Sequence, residues 1–216
     1  MLEDWETERG HLEEQDCLEG GEVARAVQVL RRGGVVGYPS ETVWGLAALP
    51  ASRAAVERLY TLKGREANKP VQLSCLDMQQ ARGWMRPGQD ELERLVVFWP
   101  GPLTVLAWAT EGCPDWLAPG GVVGVRVPSH PVIRTLLAAA GGTLATTSLN
   151  PSGLPAASTQ ERAKSYALAD LLLSARMTSS ADLGSSGLAS TVFDLRTRKV
   201  LRQGAISQAE LLAALA

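Results

Sequence analysis

Three cations, Lys63, Arg65 and Lys69, fall within seven residues in the run Lys63-Gly64-Arg65-Glu66-Ala67-Asn68-Lys69-Pro70. They follow an apolar stripe, Ala55, Val56, Leu59, Tyr60 and Leu62, which reads as a helix capped by Ser52 and ended at Lys63-Gly64-Arg65. Cations at a helix C-terminus complement its partial negative charge, an explanation that needs no ligand. A guanidinium fork, and an ammonium whose swing is limited by the following proline and strand, also suit phosphate oxygens. The residues alone leave the two explanations level. Three segments rich in hydroxyls add to the second: residues 39–45, 148–153 and 184–191. Hydroxyls and backbone amides match phosphate and carboxylate oxygens. Trp44, inside the first segment, is a candidate ligand wall, whereas Trp99, Trp108 and Trp116 flank strand-like segments and read as core or rim packing.

Other chemistries lack their parts. Nothing matches GxxxxGK[ST], no GxGxxG follows a strand, and neither GxSxG nor HExxH occurs. The two histidines, His11 and His130, and three dispersed cysteines, Cys17, Cys75 and Cys113, give no expectation of a disulfide framework or a zinc site. No cysteine has a plausible histidine partner, and His130 reads as a residue that helps start the helix after Pro128.

The elements that must carry these groups alternate. Helices are expected from Val23 to the Gly33-Gly34 stop, after Ser52, after Asp77 and Asp90, over Pro131 to Ala140, over 159–176 and after Ser207. Strands are expected at 35–38, 70–75, 103–109, 122–127, 144–147, 191–195 and 199–201. Alternation of this kind predicts an α/β sheet with helices packed on it. Ligands of open α/β sheets sit beyond the carboxyl ends of strands, where the hydroxyl-rich loops fall.

At 216 residues, 45% hydrophobic and 20% charged, the composition fits one globular domain. Residues 1–20 read as an acidic N-terminal extension and 21–216 as the domain. Residues 1–22 hold nine acids and one base, which leaves 14 acids and 20 bases in the rest. A body of about +6 under an acidic tail suits a nucleotide or RNA, yet charge alone is equally served by a solvated surface. No basic n-region with an apolar stretch is visible and no run approaches the length of a membrane span, so a cytoplasmic protein with no membrane partner is expected.

Taken together, the motifs resemble the YrdC family of threonylcarbamoyl-AMP synthases over about residues 22–206. The resemblance lies in Gly33-Gly34 and Pro39-Ser40-Glu41-Thr42-Val43-Trp44-Gly45-Leu46, in Lys63-Gly64-Arg65 with Asn68-Lys69-Pro70, and in Trp99 to Thr104. It continues in Val125 to Pro128, Ser148-Leu149-Asn150 with Pro151-Ser152-Gly153, Ser190-Thr191-Val192 and Arg202 to Ile206. One motif is weak evidence; eight in the family's order and spacing are strong.

That resemblance implies a single-domain, twisted mixed β-sheet flanked by helices, with a concave, positively charged face. It implies that L-threonine, bicarbonate or CO2 and ATP give threonylcarbamoyl-AMP and pyrophosphate for modification of adenosine 37 in tRNA. Lys63, Arg65 and Lys69 would be the catalytic cations. Arg65, Lys69, Ser148, Asn150 and Arg202 would bind ATP, with Ser148 on the phosphates. Thr42, Arg126, Thr146 and Ser190 would hold threonine, Arg126 taking its carboxylate. Magnesium would travel with ATP, no protein-bound metal or organic cofactor is implied, and a separate tRNA threonylcarbamoyl transferase would consume the product. This sequence departs from the family at Ser40 (usually Thr), Trp44 (usually Tyr), Gln203 (usually Pro) and Ser74, where many members carry a histidine near the threonine site. Two other readings are a non-catalytic YrdC-like protein that binds RNA or nucleotide, and a paralogue that makes a different carbamoyl-adenylate. An intact cation, serine and asparagine set speaks against the first.

Overall fold

In the computed structural model of the protein, residues 21–64, 71–88, 91–174 and 185–216 are described. Their centre is a nine-stranded mixed sheet in the order β7-β1-β2-β6-β3-β5-β4-β8-β9. The strands are β1 (Val36–Tyr38), β2 (Gly45–Ala48), β3 (Gln72–Cys75), β4 (Leu103–Trp108), β5 (Val122–Arg126), β6 (Thr143–Ser148), β7 (Leu171–Leu172), β8 (Thr191–Asp194) and β9 (Lys199–Arg202). Pairs β1/β7, β3/β5 and β4/β8 are parallel and the other five antiparallel. The helices are α1 (21–31), α2 (Arg53–Lys63), α3 (Met78–Gly83), α4 (Glu91–Leu95), α5 (Pro131–Ala140), α6 (Gln160–Tyr166) and α7 (Gln208–Leu215).

Local chemistry explains most helix ends. The side chains of Ser52, Asp77, Thr159 and Ser207 each accept a backbone N–H in the first turn of α2, α3, α6 and α7. His130 does so for α5 through Nδ1, the role read from the sequence. Gly64 and Gly141 end α2 and α5 in the left-handed conformation that costs glycine least. The expected cap Asp90 lies outside the described residues.

Two elements differ from the sequence reading. Residues 45–48, of which Gly45 was read as the end of a loop and the rest as no element, form β2, an interior strand. Gly-Leu-Ala-Ala lacks the β-branched enrichment that marks strands, and its place is set by pairing with β1 and β6. The helix expected over 159–176 stops at Tyr166, where Ala167 turns left-handed, and Leu171–Leu172 pair with β1 instead. Asp170 fixes that junction by accepting from the Val35 N–H and binding Arg58 of α2 through both oxygens.

Because strand side chains alternate between faces, the sheet has two surfaces. One buries Leu46, Leu73, Val105, Val125 and Phe193 in a core that includes α2, α3, α4 and α7. The other begins with Val36, Ala47 and Leu144 beneath α1 and α5. Its rows then run on into polar residues: Thr146 faces Gln72 across β6/β3, and Gln72 faces Gly124 across β3/β5. That stretch forms a cavity wall. Among the described residues no helix is long and apolar enough to cross a membrane.

Candidate active site

The cavity has a volume of about 520 Å³. Six of the ten residues named from the sequence line it: Thr42, Arg126, Thr146, Ser148, Ser190 and Arg202. Three strands and two loops bring them together. Thr146 and Ser148 lie on β6, Arg126 ends β5, Arg202 ends β9, Thr42 sits in the loop after β1, and Ser190 immediately precedes β8. Lys63 and Asn150 stand behind the wall. The buried Lys63 ammonium donates to Ser148 O (2.8 Å), Ser148 Oγ (2.9 Å) and Asn150 Oδ1 (2.9 Å). Arg65 and Lys69 lie outside the described residues.

Arg126 is the main charge of the cavity floor. Its side chain is only 7% exposed, and Nη2 meets Glu41 Oε1 at 2.8 Å. Nε donates to Gly101 O and Nη1 to Thr42 Oγ1. Glu41 also accepts the backbone N–H groups of Ser129 and His130. Burial pushes the Glu41 carboxyl up, but the Arg126 charge and the hydrogen bonds from the Ser129 N–H and Arg126 outweigh it, so the group stays below the usual carboxylate range. Glu41 therefore compensates a buried guanidinium that retains further N–H groups for a ligand. From the sequence alone Glu41 stands within a motif and has no role of its own.

Four further residues complete the site, of which only Ser74 had been placed near it from the sequence. Gln72, Thr104 and Ser74 form a buried chain: Thr104 Oγ1 donates to Gln72 Oε1 (2.6 Å), Gln72 Nε2 to Ser74 Oγ (3.2 Å), and Ser74 bonds Thr146 (2.8 Å). One signal was available: polar residues alternate with Leu73, Cys75, Leu103 and Val105 in strands otherwise apolar, and a buried polar side chain must meet a partner. Tyr38 is the fourth. Its buried phenol is pushed up by desolvation, against hydrogen bonds to Thr146 and Ser74. Gly45 makes room for its ring, since a Cβ there would lie 2.4 Å from Tyr38 Cζ. Ser74, the family's histidine position in this chain, thus spends its hydroxyl on a neighbour within the wall. Trp44 is almost wholly buried and does form part of the cavity wall. Trp99 and Trp116 pack against the core, and Trp108, half exposed, stacks under Arg196 at the rim.

The segment 185–190 crosses above the loop after β1. Ser186 and Gly187 N–H groups donate to Glu41 O (3.1 Å) and Thr42 O (2.9 Å), and Ser185 Oγ also donates to Thr42 O. Arg202 holds the end of this segment through Ser190 O and Ser190 Oγ. Thr42 and Ser190 are therefore fixed to each other's loops. The described residues leave no buried side-chain polar atom without a partner. Among them no group of three His, Cys, Asp or Glu is placed to hold a metal ion. Cys75 is free and buried, its thiol pushed up to about 12 by desolvation, and Cys113 is also free.

Comparison with known proteins gives one picture. The family model for Sua5, YciO and YrdC, described as telomere recombination, matches residues 28–204. The chain is 36% identical to the threonylcarbamoyl-AMP synthase of Pseudomonas putida over 84% of its own length and 97% of that protein's. It is 41% identical to the synthase of Halorhodospira halophila over 60% of its length and 69% of that protein's. Among solved structures it resembles P. abyssi Sua5 complexed with L-threonine, with a TM-score of 0.80 and 28% identity. That match covers 89% of this chain and spans only 56% of the P. abyssi protein. It also resembles E. coli YciO, with a TM-score of 0.76, 26% identity, and coverage of 88% and 92%. The twisted mixed sheet with flanking helices is therefore this family's fold.

Proposed function

The chain belongs to the Sua5/YciO/YrdC family, and we propose that it is a threonylcarbamoyl-AMP synthase, joining L-threonine, bicarbonate or CO2, and ATP. The observation that carries the reading is the cavity itself. Thr42, Arg126, Thr146 and Ser190, named for threonine, and Ser148 and Arg202, named for the nucleotide, line one space of about 520 Å³. This occurs in a chain that spans 97% of a synthase 36% identical to it.

In this reading Arg126 takes the threonine carboxylate with the N–H groups left after Glu41, Thr42 and Gly101 are served. Threonine nitrogen forms an N–C bond to give a carbamate, with loss of water from bicarbonate or of the amine's proton when CO2 is taken up. One carbamate oxygen attacks the α-phosphorus of ATP, a new P–O bond forms, and the bond to the departing pyrophosphate breaks. The chain's own contribution is positioning and charge: Arg202 at the end of β9, with Arg65 and Lys69, would hold phosphoryl oxygens. Lys63 and Asn150 brace Ser148 from behind. No side-chain nucleophile is called for. Magnesium enters with ATP as part of that substrate.

Residues 21–216 would form the catalytic domain and residues 1–20 an acidic extension. The product would pass to a separate transferase acting on adenosine 37 of tRNA, in the cytoplasm. The test is pyrophosphate release with ATP and magnesium, with threonine or bicarbonate omitted in turn. Release that requires both, and falls at least about tenfold in Arg65→Ala or Lys69→Ala, is expected. Release indifferent to threonine would sink the reading.

A further inference from the structure

Three hydroxyls of the cavity lining, Thr42, Ser148 and Ser190, share one hydrogen-bond arrangement. For Ser148 the logic starts at Asn150. Asn150 Nδ2 lies 3.0 Å from Pro151 O and 2.7 Å from Leu154 O. Carbonyls only accept, so the amide orientation is fixed and Oδ1 faces Lys63 and Ser148. Ser148 Oγ lies 2.7 Å from that oxygen and must give it its single proton. Lys63 Nζ, which only donates, occupies one lone pair of Ser148 Oγ at 2.9 Å.

Ser190 repeats the pattern. Thr104 Oγ1 is 2.6 Å from Gln72 Oε1, a spacing typical of O–H···O and shorter than N–H···O, so Thr104 spends its proton there. The 2.8 Å contact between Thr104 and Ser190 then carries the proton of Ser190. Arg202 Nη2 fills one lone pair of Ser190 Oγ at 3.0 Å. Thr42 is the third case. Ser40 Oγ gives its proton to Val43 O at 2.6 Å, so the 2.9 Å contact between Ser40 and Thr42 carries the Thr42 proton. Arg126 Nη1 donates to Thr42 Oγ1 at 3.1 Å.

A hydroxyl has one proton and two lone pairs. In each of the three the proton points inward and a fixed cation holds one lone pair, which leaves one lone pair. We propose that these three hydroxyls are acceptor-only: Thr42, Ser148 and Ser190 receive hydrogens from ligand N–H and O–H groups and donate none to the ligand's anionic oxygens. Phosphoryl and carboxylate oxygens then take their hydrogen bonds from other donors, the guanidinium groups of Arg126 and Arg202 first. On the synthase reading, on which the ligand's identity rests, Thr42 and Ser190 meet hydrogens of the amino acid. Ser148 meets a ribose hydroxyl or the adenine amine, not a phosphate oxygen. Turning any of the three protons into the cavity would leave two oxygen lone pairs facing each other across the contacts of 2.7 Å to Asn150, 2.8 Å to Thr104 and 2.9 Å to Ser40.

Neutron diffraction from perdeuterated crystals of the full chain without ligand reads the proton positions directly. Deuterium on Ser148 Oγ toward Asn150, on Ser190 Oγ toward Thr104 and on Thr42 Oγ1 toward Ser40 is expected. A deuterium aimed into the cavity at any of the three overturns the proposal. Calorimetric binding gives a second reading with two probes, AMP and inorganic pyrophosphate. Ser148→Ala should weaken AMP about fivefold and leave pyrophosphate within about twofold, the loss of one accepted hydrogen bond. Weakened pyrophosphate binding or unchanged AMP binding in that variant overturns the Ser148 assignment. Wild-type protein that binds neither probe would refute the synthase reading instead, while the neutron map still decides the hydroxyls.

Discussion

Replacing Glu41 by Gln removes the charge that compensates Arg126 while keeping the side chain's size. The Arg126 side chain is 7% exposed and that of Glu41 17%, so solvent does little to replace the lost partner. Breaking a buried pair from one side costs about 3–5 kcal/mol. Gln also fails geometrically, because its amide nitrogen would face the His130 N–H that Glu41 Oε2 now accepts. Taking about 3 kcal/mol, and about 2–4 °C per kcal/mol for a chain of this size, the melting temperature should fall by about 6–12 °C at pH 7. The effect should also depend on pH. Burial raises the Glu41 carboxyl, but Arg126 and the Ser129 N–H lower it more, so its folded value lies below the ordinary 4.5. A depressed carboxylate adds stability that is full above its unfolded value and is lost as pH falls through the folded one. The gap between wild type and Glu41→Gln should therefore hold from pH 7 to about 5 and narrow progressively as pH falls below the ordinary 4.5. Thermal unfolding followed by circular dichroism over that range measures it. A fall of less than about 1 °C, or a gap that persists unchanged to pH 3, would refute the argument that Glu41 is held charged by a buried guanidinium.

Two other substitutions test how the cavity is braced. A Cβ at Gly204 would lie 2.3 Å from Ala189 O and 2.5 Å from Thr191 N, both backbone atoms that cannot swing aside. Gly204→Ala should therefore cost about 1–3 kcal/mol and raise the KM for threonine by shifting Ser190; an unchanged melting temperature would show that the segment yields freely. Lys63→Met removes the ammonium that holds Ser148 and Asn150. Turnover in the pyrophosphate-release assay should fall about 10²-fold while threonine affinity stays within about twofold, and near wild-type turnover would exclude a positioning role.

Part of the site was legible in the residues themselves, because hydroxyl-rich turns such as those holding Thr42, Ser148 and Ser190 stand out beside an apolar sheet. Arg126, Thr146 and the role of each residue came only from the family resemblance. The helix limits at Ser52, Gly64, His130, Gly141 and Ser207 were equally readable, since caps act within one turn of chain. The α/β class followed from the alternation of periods. Strand β2 was not readable: its Gly-Leu-Ala-Ala carries no strand preference and is fixed by hydrogen bonds to β1 and β6, the latter about 100 residues away. Strand β7 was missed for the same reason, as Asp170, Arg58 and Val35 meet only after the chain has folded.

What the sequence by itself determined is therefore the inventory: which groups are available, which turns expose them, and which elements are local enough to form from their own residues. Tertiary structure alone decided the arrangement. It set Glu41 against Arg126, put Lys63 behind Ser148, joined Gln72, Thr104 and Ser190 into one chain of bonds, and turned the cavity hydroxyls inward. The reason is that a hydrogen bond's direction depends on every donor and acceptor around it. In this cavity those neighbours come from segments up to 145 positions apart, as Thr42 and Gly187 are.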